Sequence, residues 1–267
     1  MDNRTDAGTG VTIAYVNTNG FAGTADKRYF PGDRKANARN LLARILELTG
    51  REQDGSGAVE SGPDILFLAE FPLHSEAGEA AREYLSQMGY SAVYPDKCSK
   101  AGIRKNITST VTAFVKCTLP YERSASPMHW LKWNELSVSG YRIVGVHIPD
   151  SVREEHSARE FWECMETHYQ AHRDTGGLLY IGDMNVFLPD TPGYRRLSAL
   201  CESASDVWLS LGNGNAGSDA ATWMGGSRLD RAVASADVSV LDMKNYPQIY
   251  REGLSDHSLL MVTLERC

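Results

Sequence analysis

Acid, amide and imidazole side chains recur in this chain where apolar runs stop. Asn17 and Asn19 follow Thr12-Ile13-Ala14-Tyr15-Val16, Glu70 follows Ile65-Leu66-Phe67-Leu68-Ala69, and His147 follows Val144-Gly145-Val146. Asp183 and Asn185 follow Leu178-Leu179-Tyr180-Ile181-Gly182, Asp256 and His257 precede the run Leu259 to Leu264, and Asp230 lies inside the run Arg228 to Ala234. Taken singly, most have ordinary explanations. Asn19-Gly20 is a turn signal, Asp183 after a glycine suits a turn cap, Asp230 can pair with a neighbouring arginine, and a lone His147 is commonly a satisfied core or edge group. Glu70 is harder to dismiss, because an ionised carboxylate at the end of a buried strand is costly unless paired or metal-bound.

Together, these residues bring Glu, three Asp, Asn and two His to one end of the strands, a composition that turn caps do not require. Oxygen ligands such as Glu70, Asp183 and Asp256 suit a hard cation, Mg2+ or Mn2+, which takes one or two carboxylates and leaves positions to water and substrate phosphate. Zinc is disfavoured: there is no H-E-x-x-H, no cysteine pair and no two histidines at ligand spacing. Phosphate chemistry follows, since it needs charge neutralisation, an oriented water and help for the leaving oxygen, and this set can supply all three.

The elements that position these groups are mostly strands. Strand-like runs are Thr12–Val16, Ile65–Leu68, Thr110–Val115, Tyr141–Val146, Leu178–Ile181, Arg228–Ala234 and Leu259–Leu264. Helical periodicity runs from Asp33 to about Thr49, with Gly50 as a stop, and from about Glu76 to Met88. A third helix opens with Ser151-x-x-Glu154, a capping-box pattern, and repeats Ala158, Phe161, Trp162, Met165 and Tyr169 as core residues. Gly50–Pro63 and Leu211–Ala221 read as exposed loops, and residues 1–10 as a flexible N-terminus. The 267 residues then form a single domain, a sandwich of two sheets flanked by helices.

Composition narrows the class further. Hydrophobic residues at 42% and charged residues at 23% exclude fibrous and disordered readings. No run reaches the length of a membrane span and the start lacks the apolar core of a signal peptide, so the expected address is cytoplasmic. The five cysteines, Cys98, Cys117, Cys164, Cys201 and Cys267, are odd in number and irregularly spaced, and read as free thiols. A net charge of −7 gives no global field for a polyanion, so a nucleic acid would need a local patch or bound cations.

In order, Val16-Asn17-Thr18-Asn19-Gly20, Asp64-Ile65-Leu66-Phe67-Leu68-Ala69-Glu70, Gly182-Asp183-Met184-Asn185, Thr222-Trp223, Arg228-Leu229-Asp230 and Ser255-Asp256-His257 make the chain resemble the endonuclease/exonuclease/phosphatase superfamily over nearly its whole length. That superfamily includes pancreatic-type deoxyribonucleases and abasic-site endonucleases. The resemblance implies a four-layered α/β sandwich (α+β in its mixed sheets) and divalent-cation-dependent hydrolysis of phosphoesters. It also implies roles. Glu70 would be the principal ligand of Mg2+ or Mn2+, with Asn17 and Asp256 completing the coordination. Asp183 would orient and deprotonate water and Asn185 would hold a phosphate oxygen. His257, oriented by Asp230, would stabilise the phosphoryl centre, and His147 would contact phosphate or protonate the leaving oxygen.

Three departures leave the subfamily open. Ala69 stands where Gln is usual before the metal glutamate, Asp150 stands where abasic-site enzymes carry a phosphate-contacting Asn, and Ser227 stands where they carry Trp. DNA is the favoured substrate and partner. Asn19, Arg104, Lys105, Trp223 and Arg228 are its expected contacts, and the clusters Lys97/Lys100/Arg104/Lys105 and Lys27/Arg28/Arg34/Lys35 are available to grip a backbone. The rivals are a phosphatase or phospholipase of the same superfamily, acting on inositol phosphates, lipids or another phosphoester, and an inactive binding module. The second is disfavoured because every chemical residue of the set is present.

Overall fold

A computed structural model of the chain describes residues 10–26, 32–52, 59–60, 62–95, 109–127, 131–214 and 219–266. Two six-stranded sheets stack face to face. The first runs, in spatial order, Val240–Tyr246, Leu259–Leu264, Val11–Asn17, Ile65–Phe71, Thr110–Lys116 and Tyr90–Val93. The second runs Ser205–Asp206, Asp230–Ala234, Leu178–Asp183, Tyr141–His147, Trp133–Val138 and Glu122–Arg123. Helices α1 (Arg34–Thr49) and α2 (Glu76–Gln87) contribute to the core on the outer face of the first sheet. Helices α3 (Glu155–His172) and α4 (Pro192–Leu200) do the same for the second. The result is the sandwich of two sheets flanked by helices that the strand and helix patterns imply, with the four layers that the resemblance implies.

Side-chain alternation explains the layering. Along Val11–Asn17, Ile13 and Tyr15 belong to the core between the sheets while Ala14 and Val16 meet the helices. Likewise Leu179 and Ile181 face inward while Leu178 and Tyr180 pack with α3 and α4. Both faces are buried, so these strands read as continuous apolar runs. Helix α1 is capped by the Asp33 carboxylate, which accepts from the Lys35 and Ala36 amides (2.8 and 3.2 Å).

Several expectations change. The Ser151-x-x-Glu154 capping box does not form: α3 starts at Glu155 with Glu154 at its N-cap position and no side-chain cap bond. Instead Asp150 Oδ1 accepts from the Val152 amide at 2.8 Å, making a turn ahead of the helix. The strand expected from Arg228 begins at Asp230. Within Gly50–Pro63, Arg51–Glu52 pairs with Val59–Glu60 and Gly62 and Pro63 are buried, so that stretch is not simply an exposed loop. Ala220 and Ala221, expected in a loop, are buried, and so is Gly10 at the end of the expected flexible N-terminus; residues 1–9 lie outside the described residues.

Strands at Tyr90–Val93, Trp133–Val138 and Val240–Tyr246, and helix α4, are additions to the sequence reading. Cys117, Cys164 and Cys201 are free thiols, whereas Cys98 and Cys267 lie outside the described residues. Among the described residues no helix is long and apolar enough to cross a membrane.

The two sheets meet closely at Gly145, where an added Cβ would overlap the Phe67 ring of the opposite sheet. Gly145→Ala is expected to lower stability by about 1–3 kcal/mol through overpacking. A urea titration checks this: the midpoint falls with little change in slope, and an unchanged midpoint would mean that the sheets do not pack in this register.

Candidate active site

Each sheet has one parallel pair at its centre, and the two pairs end at the same cavity. In the first sheet Asn17 lies opposite Ala69, and in the second Asp183 lies opposite His147 on one side and Asp230 on the other. Asn17, His147, Asp183 and Asp230 each continue the inward row of their strand, following Tyr15 and Ile13, Gly145 and Ile143, and Ile181 and Leu179, and preceding Ala232 and Ala234. They are therefore the polar ends of the same rows that build the core between the sheets.

Glu70 has the wrong parity for that row, since Ala69 faces the inner core and Leu66 and Leu68 face the helices. A backbone irregularity corrects this. The pairing to Thr110–Lys116 shifts register between Leu68 and Phe71, and Glu70 adopts a left-handed φ of 48°. After it Phe71 lies with the outer core, the layer that even-numbered positions occupied before. The bulge re-aims one side chain, and Glu70 lines the cavity.

The cavity has a volume of about 580 Å³ and is lined by Asn17, Glu70, His147, Asp183, Asn185, Trp223, Asp256 and His257. His147 Nε2 is 3.9 Å from both Glu70 Oε1 and Asp183 Oδ2. His257 Nε2 is 3.8 Å from Asp183 Oδ2, and its Nδ1 is 2.8 Å from Asp230 Oδ2. Asn17 Nδ2 donates to Asp183 Oδ2 at 3.2 Å. The Asn185 amide donates to Asp183 Oδ1 at 3.0 Å and its side chain donates to the Ile148 carbonyl at 2.8 Å. Thr222 Oγ1 accepts from the Leu229 and Asp230 amides (2.9 and 2.8 Å), which fixes the start of the Asp230 strand.

Charge is distributed unevenly over this set. Burial opposes a proton on His257, yet Asp230, with Asp183 and Asp256 behind it, outweighs burial and raises the imidazole to about 10. His257 is thus an imidazolium at neutral pH, held at Nδ1 by Asp230. His147 is pushed the other way: its burial lowers it despite Asp183 and Glu70. Burial raises Asp183, opposed by His257 and His147 and reinforced by Asp230. Asp256 is also raised, by burial first and by Glu70, with His257 opposing.

Two sets of donors here suggest a metal. Asp183, Asp230 and His257 bring ligand atoms within 4.8 Å of one another, but a protonated His257 has no lone pair to give and Asp230 already faces it. Glu70 and Asp256 fit a hard cation better, because two carboxylates line one cavity and Glu70 helps raise Asp256, a repulsion that a divalent cation would relieve. Asn17 Oδ1 accepts from the Asn19 amide at 3.0 Å and keeps one lone pair for such an ion.

Two expected substrate contacts do not reach the cavity lining. Arg228 is buried, and its Nη1 and Nη2 donate to Asp206 Oδ1 and Oδ2 (2.9 and 2.7 Å). Asn19 Nδ2 donates to the Gly23 and Ala25 carbonyls, so Asn19 builds a turn. Arg104 and Lys105 lie outside the described residues, as do Lys27, Arg28, Lys97 and Lys100. Lys132, Arg153 and Phe187 line the cavity although nothing in the local sequence distinguished them. Lys132 is placed by strand pairing, since the His147 amide donates to its carbonyl at 3.0 Å. Asp150 also lines the cavity, with Arg153 Nε 3.6 Å from its Oδ2.

The family model for the Endonuclease/Exonuclease/phosphatase family matches residues 14–257. The fold is similar to that of the 3'-5' exonuclease NExo from Neisseria meningitidis, at 16% identity, 96% coverage of this chain, 100% of that chain and a TM-score of 0.64. A second NExo structure, described as a 3' phosphatase bound to product DNA hairpin, matches at 16% identity over 95% and 99% of the two chains with a TM-score of 0.61. D. rerio TDP2 complexed with single strand DNA product matches at 15% identity over 95% and 98% with a TM-score of 0.63. At these identities the likeness is one of fold. No curated protein sequence matches the chain.

The Asp206 carboxylate holds two arginines, because Arg231 Nη1 donates to Oδ2 at 3.0 Å beside Arg228. Burial works to raise Asp206, but the two arginines outweigh it and hold the carboxyl below its ordinary 3.8. Asp206→Ala would remove the carboxylate that both buried guanidinium groups share and is expected to cost about 3–5 kcal/mol. A depressed folded pKa stabilises above the ordinary aspartate range, and that contribution is lost as pH falls through the folded value. Urea midpoints measured from pH 7 downward check both effects: the wild type loses this increment on acidification, and Asp206→Asn, already destabilised at neutral pH, lacks it.

Proposed function

Because the chain belongs to the endonuclease/exonuclease/phosphatase family, we propose that it is a Mg2+- or Mn2+-dependent phosphoric ester hydrolase whose preferred substrate is the phosphodiester backbone of DNA. The observation that carries this reading is the buried Asp183 carboxylate, flanked by two imidazoles of opposite protonation state at the end of an open cavity.

Asp183 takes the proton of the attacking water. Burial strengthens it as a base relative to an exposed carboxylate, and Asn17 and the Asn185 amide fix its two oxygens. His257 presents a charged Nε2–H toward the cavity, its other nitrogen held by Asp230, and stabilises negative charge on the phosphoryl oxygens. The Asn185 side-chain amide has a second N–H for a phosphate oxygen beyond the one it gives to Ile148. His147, neutral at pH 7, keeps one ring N–H to donate a hydrogen bond to a phosphate or leaving oxygen, which takes its proton from water. Glu70 and Asp256, with Asn17 Oδ1, would hold the divalent ion, which when bound supplies Lewis-acid neutralisation of the phosphate.

A phosphomonoester at a strand end is the second reading, favoured by the fold likeness to NExo, which is described both as an exonuclease and as a 3' phosphatase.

Supercoiled plasmid, single-stranded DNA and RNA incubated with Mg2+, Mn2+ or chelator test the proposal. Cleavage is expected with either ion and none with chelator. Asp183→Asn and His257→Ala should each lower kcat by at least about 100-fold while the thermal transition is retained, and near-normal turnover in either would remove that residue from the mechanism. Glu70→Gln should shift the Mg2+ titration to higher concentration; an unshifted titration would argue against direct ligation by Glu70.

A further inference from the structure

Two large aromatic side chains line the cavity and remain open to solvent. Trp223 is 36% exposed and Phe187 is 43% exposed, and each is followed by another exposed apolar residue, Met224 at 53% and Leu188 at 50%. They come from segments that also carry the chemistry. Phe187 lies two residues after Asn185, in a chain held at Val186 by Arg231 Nη2, which donates to its carbonyl at 3.3 Å. Trp223 forms an isolated antiparallel bridge with His257, and the next amide, Met224, donates to the Asp256 carbonyl at 2.9 Å.

The Trp223 ring is also seated from below. Gly225 lies directly against the indole, where a Cβ would overlap the six-membered ring, and the turn is closed by the Trp223 and Gly226 amides, which donate to the Ser227 and Trp223 carbonyls (3.1 and 2.9 Å). One side of the exposed indole is thus supported by the backbone at Gly225.

Charge gives the second half of the argument. Among the described residues that line the cavity, Glu70, Asp150, Glu154, Asp183 and Asp256 are acidic while Lys132 and Arg153 are the Lys and Arg side chains. Lys132 Nζ is 4.0 Å from Glu154 and Arg153 Nε is 3.6 Å from Asp150. Such a lining is poorly suited to gripping a long run of phosphates electrostatically, whereas an aromatic ring offers every base a face to stack on.

We propose that Trp223 and Phe187 are a stacking site for an unpaired nucleobase next to the scissile phosphate, so that the substrate is a single strand or a frayed strand end rather than continuous duplex. In a duplex both faces of each base are already covered by neighbours, and only an unpaired or extruded base can offer one to a fixed ring. The inference rests on the hydrolase reading of the same cavity and adds which form of nucleic acid that cavity accepts.

Steady-state cleavage of an end-labelled oligothymidylate, and of a blunt duplex of the same length, tests it in the presence of Mg2+. The wild type should show a KM at least about tenfold lower on the single strand. Trp223→Ala and Phe187→Ala should each raise that KM about tenfold, Trp223→Phe should restore most of it, and Gly225→Ala should raise it by displacing the indole. Both rings are exposed, so an unchanged thermal transition separates these effects from unfolding. Single-strand KM values unaffected by the two alanine variants, or a lower KM on the duplex, would overturn the stacking site while leaving the nuclease reading intact. Failure of the wild type to cleave any nucleic acid, with binding to phosphatidylcholine vesicles that Trp223→Ala abolishes, would overturn both and assign the apolar rim to a lipid surface.

Discussion

The site depends on one constraint, the period-two alternation of side chains along strands that are covered on both faces. Once Ile13 and Tyr15 are committed to the core between the sheets, Asn17 has to face the same way, and the same holds for His147 after Ile143, Asp183 after Ile181 and Asp230 before Ala232. The central parallel pair of each sheet brings two strand ends to one side, and stacking the sheets brings both sides together. A one-residue slip in any of these registers would move a functional group to the helix-facing surface. The apolar core is therefore the device that aims the polar groups.

Glu70 shows what happens where alternation gives the wrong answer. A regular strand would place it among Leu66 and Leu68 under the helices, where an unpaired carboxylate is prohibitively costly. The left-handed backbone at Glu70 costs on the order of 1–3 kcal/mol, less than burying the charge unpaired, and Glu70 lines the cavity that Asp256 also lines. The site then divides in two electrostatically. The half built from Asp230 and His257 is neutralised internally, by a proton that the carboxylate holds on the imidazole. The half built from Glu70 and Asp256 is not, and its mutual repulsion is what a cation from outside would satisfy.

This division explains what was legible in the sequence. Apolar runs ending in polar residues are a local pattern, so the strands and their terminal groups could be read directly. The Glu70 bulge leaves no mark in Ala69-Glu70-Phe71, and the partner of Arg228 is Asp206, 22 residues away, within a segment whose strand is only two residues long. Lys132 and Phe187 reach the cavity through register and loop path rather than through any local motif. The Ser151-x-x-Glu154 pattern misled because Asp150, one residue earlier, captures the Val152 amide and starts a turn before the helix can be capped from Ser151.

Arg228 illustrates why residue type near a motif is a weak guide to substrate contact. A guanidinium two residues before Asp230 suggests phosphate binding, yet here it shares Asp206 with Arg231, and Arg231 in turn holds the Val186 carbonyl. Desolvating two guanidinium groups and a carboxylate together costs energy in the fold. That cost secures the backbone between Asn185, which donates toward the site, and Phe187, which lines the cavity. The arginines act on the site through the shape of this loop. Two of the chain's positive charges are thus placed inside the protein, on Asp206, rather than on the cavity lining.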